Sequence, residues 1–247
     1  MPDALGYRAK FGVLVPSTNT IVEPDFHRMA PDGISLATGR IFIENPRMDD
    51  DAGFEALMEQ IRASIARAVR ELMSSEPDYL VMGMSSETFW GGKKGNDEFR
   101  QRIAQLSGLR IATGANACEK ALGLLGARRL GVVTPYQPVG DAQVRRFLGE
   151  CGYEVVALEG LRCTTAVGIA HVDEGTLRRA IAAVNRPGVD AVLQVGTNLS
   201  MLRLADEAER ELGKPVIAIN AATFWYALRD NGFTDRISGF GRLLREY

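Results

Sequence analysis

Short apolar runs alternate with amphipathic stretches along the chain, and this alternation limits the possible folds more than any other feature. Phe11–Val15 and Tyr79–Met82 are apolar runs of strand length. Between them, the stretch from Asp51 to Met73 places a stripe of large apolar side chains on one face at helical spacing. Strands and helices that alternate in this way build parallel sheets covered by helices. The sequence therefore predicts an α/β fold.

The order of predicted elements occurs twice along the chain. Gly12–Pro16 (GVLVP) resembles Gly131–Pro135 (GVVTP), and Asp78–Ser86 resembles Asp190–Asn198 in its apolar run and in the small polar residues that follow. Chance similarity is the alternative explanation, because the strands of α/β proteins resemble one another. The shared element order favours an internal duplication.

The repeat predicts two lobes and a tail. We place the N-terminal α/β lobe at residues 1–113, the C-terminal α/β lobe at 114–230 and the tail at 231–247. No linker rich in Pro, Gly or Ser separates the halves, so we expect the lobes to lie in close contact. We expect the tail to pack back on the N-terminal lobe.

Charge and hydropathy exclude several classes of protein. The 247 residues carry a formal charge of -2, so no basic surface is expected to attract nucleic acid or an anionic membrane. No apolar run approaches the roughly 20 residues that span a bilayer. The first ten residues are polar and lack the apolar stretch of a signal peptide. We therefore expect a cytoplasmic protein with no nucleic-acid or membrane partner.

The cysteines and histidines give no sign of a metal site. Cys118, Cys151 and Cys163 share no C-x-x-C spacing, and neither His27 nor His171 has an i, i+4 histidine partner. We expect no metal and no disulfide framework. Cys118 and Cys151 fit packing positions, and His171 fits a helix cap or a surface position better than a catalytic base.

Polar residues cluster where four of the predicted strands end. The clusters are Ser17–Thr20, Ser85–Glu87, Pro135–Tyr136 and Gly196–Asn198. Ligands of parallel sheets bind beyond the carboxyl ends of the strands, and helix N-termini attract anions. Each cluster alone is explained equally well as an ordinary helix cap. Four clusters at equivalent points of a duplicated fold favour a carboxylate site between the halves.

Two glycine-rich segments do not fit nucleotide-binding motifs. Gly91–Gly95 (GGKKG) lacks the spacing of a Walker A loop, and Gly239–Gly241 (GFG) lacks the third glycine of a dinucleotide fingerprint. We expect both segments to be loops.

These motifs resemble those of the maleate isomerase and arylmalonate decarboxylase group of the aspartate/glutamate racemase superfamily. Gly12–Thr20 followed by Val22–Pro24 looks like the opening motif of maleate cis-trans isomerases. Met82–Trp90 is similar to the segment that forms part of the carboxylate pocket in the decarboxylases, and Thr134–Tyr136 to the turn that carries their substrate-binding tyrosine. The resemblance extends over roughly residues 10 to 243.

The resemblance implies a fold, a site and an assembly. The fold would be two flavodoxin-like parallel-sheet lobes related by a pseudo-twofold axis, with the ligand cleft between them. The site would need no cofactor and would bind a small carboxylate substrate, and the protein would be a homodimer or a larger homo-oligomer. The substrate-binding residues would be Asn19, Ser85, Ser86, Gly196, Thr197 and Asn198, with Tyr136 completing the site as a candidate catalytic residue.

The sequence departs from this family where chemistry is expected. The racemases and isomerases place one cysteine after the central strand of each lobe, and the corresponding positions here are Met84 and Gly196. Thiol-based proton transfer therefore cannot be carried over. Glu87 is a candidate replacement acid or base if burial raises its pKa. A carboxylate stabilised by a helix N-terminus is the alternative interpretation of Glu87.

Two functions remain open from the sequence. The first is a cofactor-independent isomerase or carbon–carbon lyase that acts on a small mono- or dicarboxylic acid through an enolate-type intermediate without cysteine chemistry. The second is a catalytically inactive homologue that binds or senses a carboxylate. Retention of the polar clusters is compatible with both functions.

Overall fold

The apolar runs form two separate parallel sheets in the computed structural model, which describes residues 3–247. The first two residues of the predicted N-terminal lobe, Met1 and Pro2, lie outside the described residues. The first sheet contains β1 (Ala9–Pro16), β2 (Ile34–Ile41), β3 (Tyr79–Met82) and β4 (Ile111–Ala112). The second contains β5 (Arg129–Thr134), β6 (Glu154–Gly160), β7 (Ala191–Gln194) and β8 (Val216–Ala218).

The two sheets have the same topology. The first has the strand order β2-β1-β3-β4 and the second has β6-β5-β7-β8, with all neighbours parallel. β3 and β7 are buried at every residue, because helices cover both faces of each sheet. The predicted α/β fold of two lobes is confirmed, and the matching strand order supports the internal duplication.

Helices flank both sheets. Those of the first half are α1 (Val22–Met29), α2 (Asp51–Met73), α3 (Ser86–Phe89), α4 (Gly92–Ser107) and α5 (Gly114–Leu124). Those of the second half are α6 (Pro138–Glu150), α7 (Glu174–Val184), α8 (Leu202–Leu212), α9 (Ile219–Asp230) and α10 (Arg242–Glu246), with a 3-10 turn at Val167–His171. None of the helices in the described part of the chain is long and apolar enough to cross a membrane.

The two halves exchange helices. The α9 helix belongs to the second half by sequence, yet Phe224 on it contacts Phe11 and Phe26 of the first half, with ring centroids 6.4 and 5.1 Å apart. In the other direction, the carbonyl oxygen of Glu119 on α5 accepts a hydrogen bond from the Tyr153 hydroxyl at 2.9 Å. The last helix of the predicted unit 114–230, α9, therefore packs on the N-terminal lobe.

The tail contacts both lobes. Asp235 forms an ion pair with Arg8 at 2.6 Å on the first lobe. At the other end, Asp206 and Glu209 on α8 accept hydrogen bonds from the backbone N–H groups of Gly241 and Arg242 at 3.0 and 2.7 Å. The tail therefore packs on the N-terminal lobe and also on α8 of the second half.

One local prediction differs from the structure. Gly91–Gly95 is not a loop throughout, because α4 begins at Gly92. Gly91 has a φ of +75°, and a Cβ on Gly95 would overlap the carbonyl oxygen of Trp90, so these glycines allow a sharp turn into the helix. The eight-residue α1 had no clear apolar pattern; its start is fixed by the Asn19 side chain, which accepts from the N–H groups of Ile21 and Val22 at 2.9 and 3.0 Å.

Candidate functional site

The carboxyl ends of the central strands meet at a cleft between the lobes. The cleft has a volume of about 50 Å³, compared with roughly 10–15 Å³ for one water molecule, so it has room for a small organic acid. Its lining includes every predicted substrate-binding residue and Tyr136: Asn19, Ser85, Ser86, Tyr136, Gly196, Thr197 and Asn198. The structure thus brings together residues separated by up to 179 positions in the sequence.

A hydroxyl pair joins the two lobes at the cleft. The hydroxyls of Ser85, which follows β3, and Tyr136, which follows β5, lie 2.7 Å apart, and both residues are buried. One of the two hydroxyl hydrogens forms the bond between Ser85 and Tyr136, so the hydrogen of the other hydroxyl can be donated to a ligand. Burial raises the pKa of the Tyr136 phenol, which therefore keeps its proton at neutral pH.

The asparagines of the cleft already bond to protein groups. Asn19 donates to the Thr197 hydroxyl at 3.2 Å, while its oxygen caps α1. Asn198 accepts from the Thr20 N–H at 3.1 Å and donates to the Ala166 carbonyl at 2.9 Å. The bonds from Asn19 to Thr197 and from Thr20 to Asn198 link the two lobes. Ligand binding by either side-chain amide therefore requires an exchange of partners.

Other donors of the cleft have no partner in the described structure. The Ser86 side chain lines the cleft, and its hydroxyl makes no hydrogen bond with any of residues 3–247. The backbone N–H groups of Ser85, Ser86, Thr197 and Asn198 likewise donate to no carbonyl within these residues. Such groups converging on one cavity suit an anion or a developing negative charge.

An apolar wall forms another part of the cleft lining. It is formed by Ile43, Phe54, Leu57, Ile61, Ala166 and Ile169. The two segments that follow the edge strands contribute Ile43 and Ala166 to this lining and are joined to each other by hydrogen bonds. The Met48 N–H donates to the Thr164 carbonyl at 2.9 Å, and the Val167 N–H to the Asn45 side chain at 3.1 Å.

The carboxylate of Glu87 points away from the cleft. Both of its oxygens accept from Arg62 Nε at 3.0 Å, and Arg102 lies 3.7 Å away on the same side. Glu87 lines a separate cavity with Trp90 and Phe99 and does not line the cleft. Ion pairing with Arg62 on α2 directs the Glu87 side chain away from the cleft lined by Ser86, and this position supports the alternative interpretation of Glu87 as a structural carboxylate.

Met84 and Gly196 occupy equivalent places after β3 and β7, and both line the cleft. The three cysteines do not line it. Burial raises the pKa of the Cys151 and Cys163 thiols to about 11 and that of the fully buried Cys118 thiol further still. All three thiols are therefore protonated at neutral pH, and Tyr136 is the one titratable side chain among the described lining residues.

The sequence reasoning missed most of the apolar wall. Phe54, Leu57 and Ile61 had been placed in the core stripe of α2, and this stripe extends beyond the core to the cleft. Ala166 and Ile169 lie in an irregular segment with no pattern that could mark them. Within residues 3–247, no group of three or more His, Cys, Asp or Glu side chains is arranged to hold a metal ion.

Comparison with known proteins gives a consistent set of relatives. The model of the family described as arylmalonate decarboxylase matches residues 11–244. Arylmalonate decarboxylase of Bordetella bronchiseptica is 28% identical over 95% of this chain and 96% of its own length. Maleate isomerase of Nocardia farcinica is 25% identical over 96% of each chain.

Solved structures share the fold. A mutant of the Nocardia farcinica maleate cis-trans isomerase with a covalently bound succinylcysteine intermediate superposes with a TM-score of 0.86 at 23% identity, covering 97% of this chain and 99% of that one. A liganded double mutant of arylmalonate decarboxylase gives a TM-score of 0.82 at 26% identity, covering 97% and 100%.

Proposed function

Because the chain belongs to the arylmalonate decarboxylase family, we propose that it is an enzyme that releases carbon dioxide from a small malonate-type acid carrying an apolar substituent. The observation that carries this proposal is the composition of the cleft. The cleft is lined by unpartnered neutral donors and by a set of apolar side chains, and no charged side chain is among its lining residues.

Decarboxylation suits a cleft without a strong base. The bond between the α carbon and the leaving carboxylate breaks, and its electron pair passes to the retained carboxylate, which becomes an enediolate as carbon dioxide departs. No proton has to be removed at this step. Racemisation begins by removing a proton from carbon, and covalent isomerisation needs a nucleophile.

The donors can stabilise the enediolate. The N–H groups of Ser85, Ser86, Thr197 and Asn198 and the Ser86 hydroxyl make no hydrogen bond to a carbonyl of the described chain and are free to bind the enediolate oxygens. Donors aimed at charge that grows in the transition state usually supply the largest catalytic contribution, roughly 3–4 kcal/mol for one donor.

The apolar wall has a complementary role. A carboxylate held against Phe54, Leu57 and Ile61 loses its hydration, whereas neutral carbon dioxide does not need hydration. The wall therefore favours departure of the carboxylate that faces it. It also accommodates the apolar substituent of the acid.

Tyr136 is the proton donor in this scheme. Its phenol is protonated at neutral pH and hydrogen-bonded to Ser85. Transfer of the phenolic proton to the α carbon completes the new C–H bond, and water returns a proton to the phenolate. Covalent addition of a thiol, as named for the Nocardia farcinica isomerase, has no support here because the cysteines lie outside the cleft.

The test is turnover of carboxyl-labelled 2-methylmalonate and phenylmalonate in D2O, with maleate as the comparison acid. Labelled carbon dioxide and one deuterium at the α carbon per turnover would support the proposal. Thermal stabilisation by these acids without carbon dioxide release would identify a carboxylate-binding protein. Conversion of maleate into fumarate without decarboxylation would identify an isomerase. Either of these last two results would overturn the proposal.

A further inference from the structure

A closed ring of hydrogen bonds surrounds the backbone of Tyr136. The Tyr136 N–H donates to the Thr134 hydroxyl at 3.2 Å, and that hydroxyl donates to Asp141 Oδ1 at 2.5 Å. Asp141 Oδ2 pairs with Arg162 Nη1 at 2.5 Å, and the same nitrogen donates to the Tyr136 carbonyl. Both polar backbone groups of Tyr136 are therefore tied to one ion pair.

Two features show that the local backbone accommodates this ion pair. Arg162 is one of three non-glycine residues with positive φ in the described chain, at +53°, a conformation that costs free energy and persists only where the surrounding structure stabilises it. Gly160 leaves the space that the pair occupies, because a Cβ there would overlap Arg162 Nη1 and Asp141 Oδ2. A side chain at position 160 would displace the pair.

The pair lies outside the cleft itself. Asp141, in the first turn of α6, is buried, while the Arg162 side chain is 44% exposed, and neither residue lines the cavity. A surface ion pair of ordinary type contributes little to stability. Here the pair acts on one residue whose hydroxyl reaches across to Ser85 in the other lobe.

We propose that Asp141 and Arg162 are positioning residues that hold the Tyr136 phenol against Ser85 for proton delivery. This inference rests on the proposed function for its kinetic consequence. Its structural consequence, the placement of the phenol, is independent of any turnover.

The kinetic test uses Arg162→Met, Asp141→Asn and Gly160→Ala with a substituted malonate. We expect kcat to fall by roughly 10–100-fold and KM to change less than threefold, because proton transfer is sensitive to small displacements. Arg162→Lys should restore part of kcat. Arg129→Met, which breaks the exposed ion pair between Arg129 and Glu154 on the same lobe, is the matched control and should leave both constants unchanged.

The structural test needs no activity. The protein is labelled with 3-fluorotyrosine, and the Tyr136 resonance is assigned by its loss in Tyr136→Phe. In Arg162→Met and Asp141→Asn this resonance should move or broaden, and in Arg129→Met it should not. If the resonance and kcat both stay at their wild-type values in the first two variants, the positioning role is wrong. If the wild-type protein has no turnover, the proposed function fails, and the resonance still decides the role of the ion pair.

Discussion

Gly196 lies directly beneath the ring of Pro135. With a φ of +109° at Gly196, a Cβ there would stand 2.6 Å from Pro135 Cγ and would also overlap Cδ. Position 196 is the place where the family resemblance leads us to expect a cysteine. The backbone after β7 is therefore built for glycine, and no side chain fits at position 196 without a shift of Pro135.

Gly196→Ala should destabilise the protein by roughly 3 kcal/mol. About 1 kcal/mol comes from the left-handed backbone and the rest from the overlap with Pro135. Gly232→Ala is the control, because Gly232 has a φ of +78° but no atom near its missing Cβ, so only the backbone cost applies. Urea denaturation compares the two variants. If the two variants lose the same free energy of unfolding, the loop relaxes around the added methyl group and the prediction is wrong.

Tyr136→Phe should lower kcat for decarboxylation by about 100-fold or more, because the proposed proton donor is lost. Binding of the acid should weaken only modestly, since the backbone donors remain. Tyr153→Phe removes a hydroxyl that bonds to Glu119 outside the cleft and serves as the control. Steady-state kinetics gives kcat and KM for each variant, and deuterium analysis of the product reports the proton transfer. An unchanged kcat in Tyr136→Phe would exclude the phenol as the proton donor.

Glu87→Gln should leave kcat within about threefold of the wild type and lower the free energy of unfolding by roughly 1–3 kcal/mol. The Glu87 carboxylate forms ion pairs with Arg62 and Arg102 and does not contact the cleft. Removal of one partner of a buried ion pair lowers the free energy of unfolding. Glu98→Gln, at an exposed position of α4, is the matched control for stability. A kcat reduced a hundredfold by Glu87→Gln, with the fold intact, would return Glu87 to the catalytic machinery.

The contribution of Asp25 to the free energy of unfolding should fall as the pH rises from about 4 to 6. Burial raises the pKa of this carboxyl to about 6, with the Asn220 amide and Arg28 acting in the opposite direction. In this pH range the unfolded chain ionises at Asp25 before the folded protein does, so the folded state binds more protons and loses stability with rising pH. Above pH 6, the difference between the folded and unfolded pKa of Asp25 lowers the free energy of unfolding by roughly 3 kcal/mol.

Asp25→Asn tests this dependence, since an amide oxygen can still accept from Asn220 and carries no charge. The variant should be more stable than the wild type at pH 7.5, and the two should converge near pH 4. Asp32→Asn, at an exposed position, is the control. Denaturation midpoints across the pH range provide the measurement, and parallel curves for wild type and Asp25→Asn would contradict the prediction.

The periodic parts of the fold could be predicted from the sequence because their signals are local. The α2 helix has the bounds that its apolar stripe indicated, and β3 has those of its apolar run. The Ser17–Thr20 cluster indicated a helix cap, and Asn19 caps α1 in the structure, but no apolar spacing marked the extent of this helix.

The cleft was predictable in its position and less so in its detailed contacts. The strand ends located Ser85, Ser86, Tyr136 and Thr197 correctly at one cavity, because parallel strands end at one edge of a sheet. The direction of Glu87 was not predictable, since it follows Ser86 directly and turns away only because Arg62 on α2 holds it. The exchange of helices between the lobes likewise depends on contacts between distant parts of the chain.

That exchange bears on how a duplicated chain of this kind can arise. A polypeptide of one half alone would have a last helix directed away from its own sheet and an uncovered apolar face where α9 now packs. Two copies would satisfy each other only by trading these helices, as a domain-swapped dimer. The present protein is equivalent to such a dimer joined into a single gene product. Its cleft, which needs Ser85 from one half and Tyr136 from the other, could diverge into an asymmetric site once the two halves were free to mutate separately.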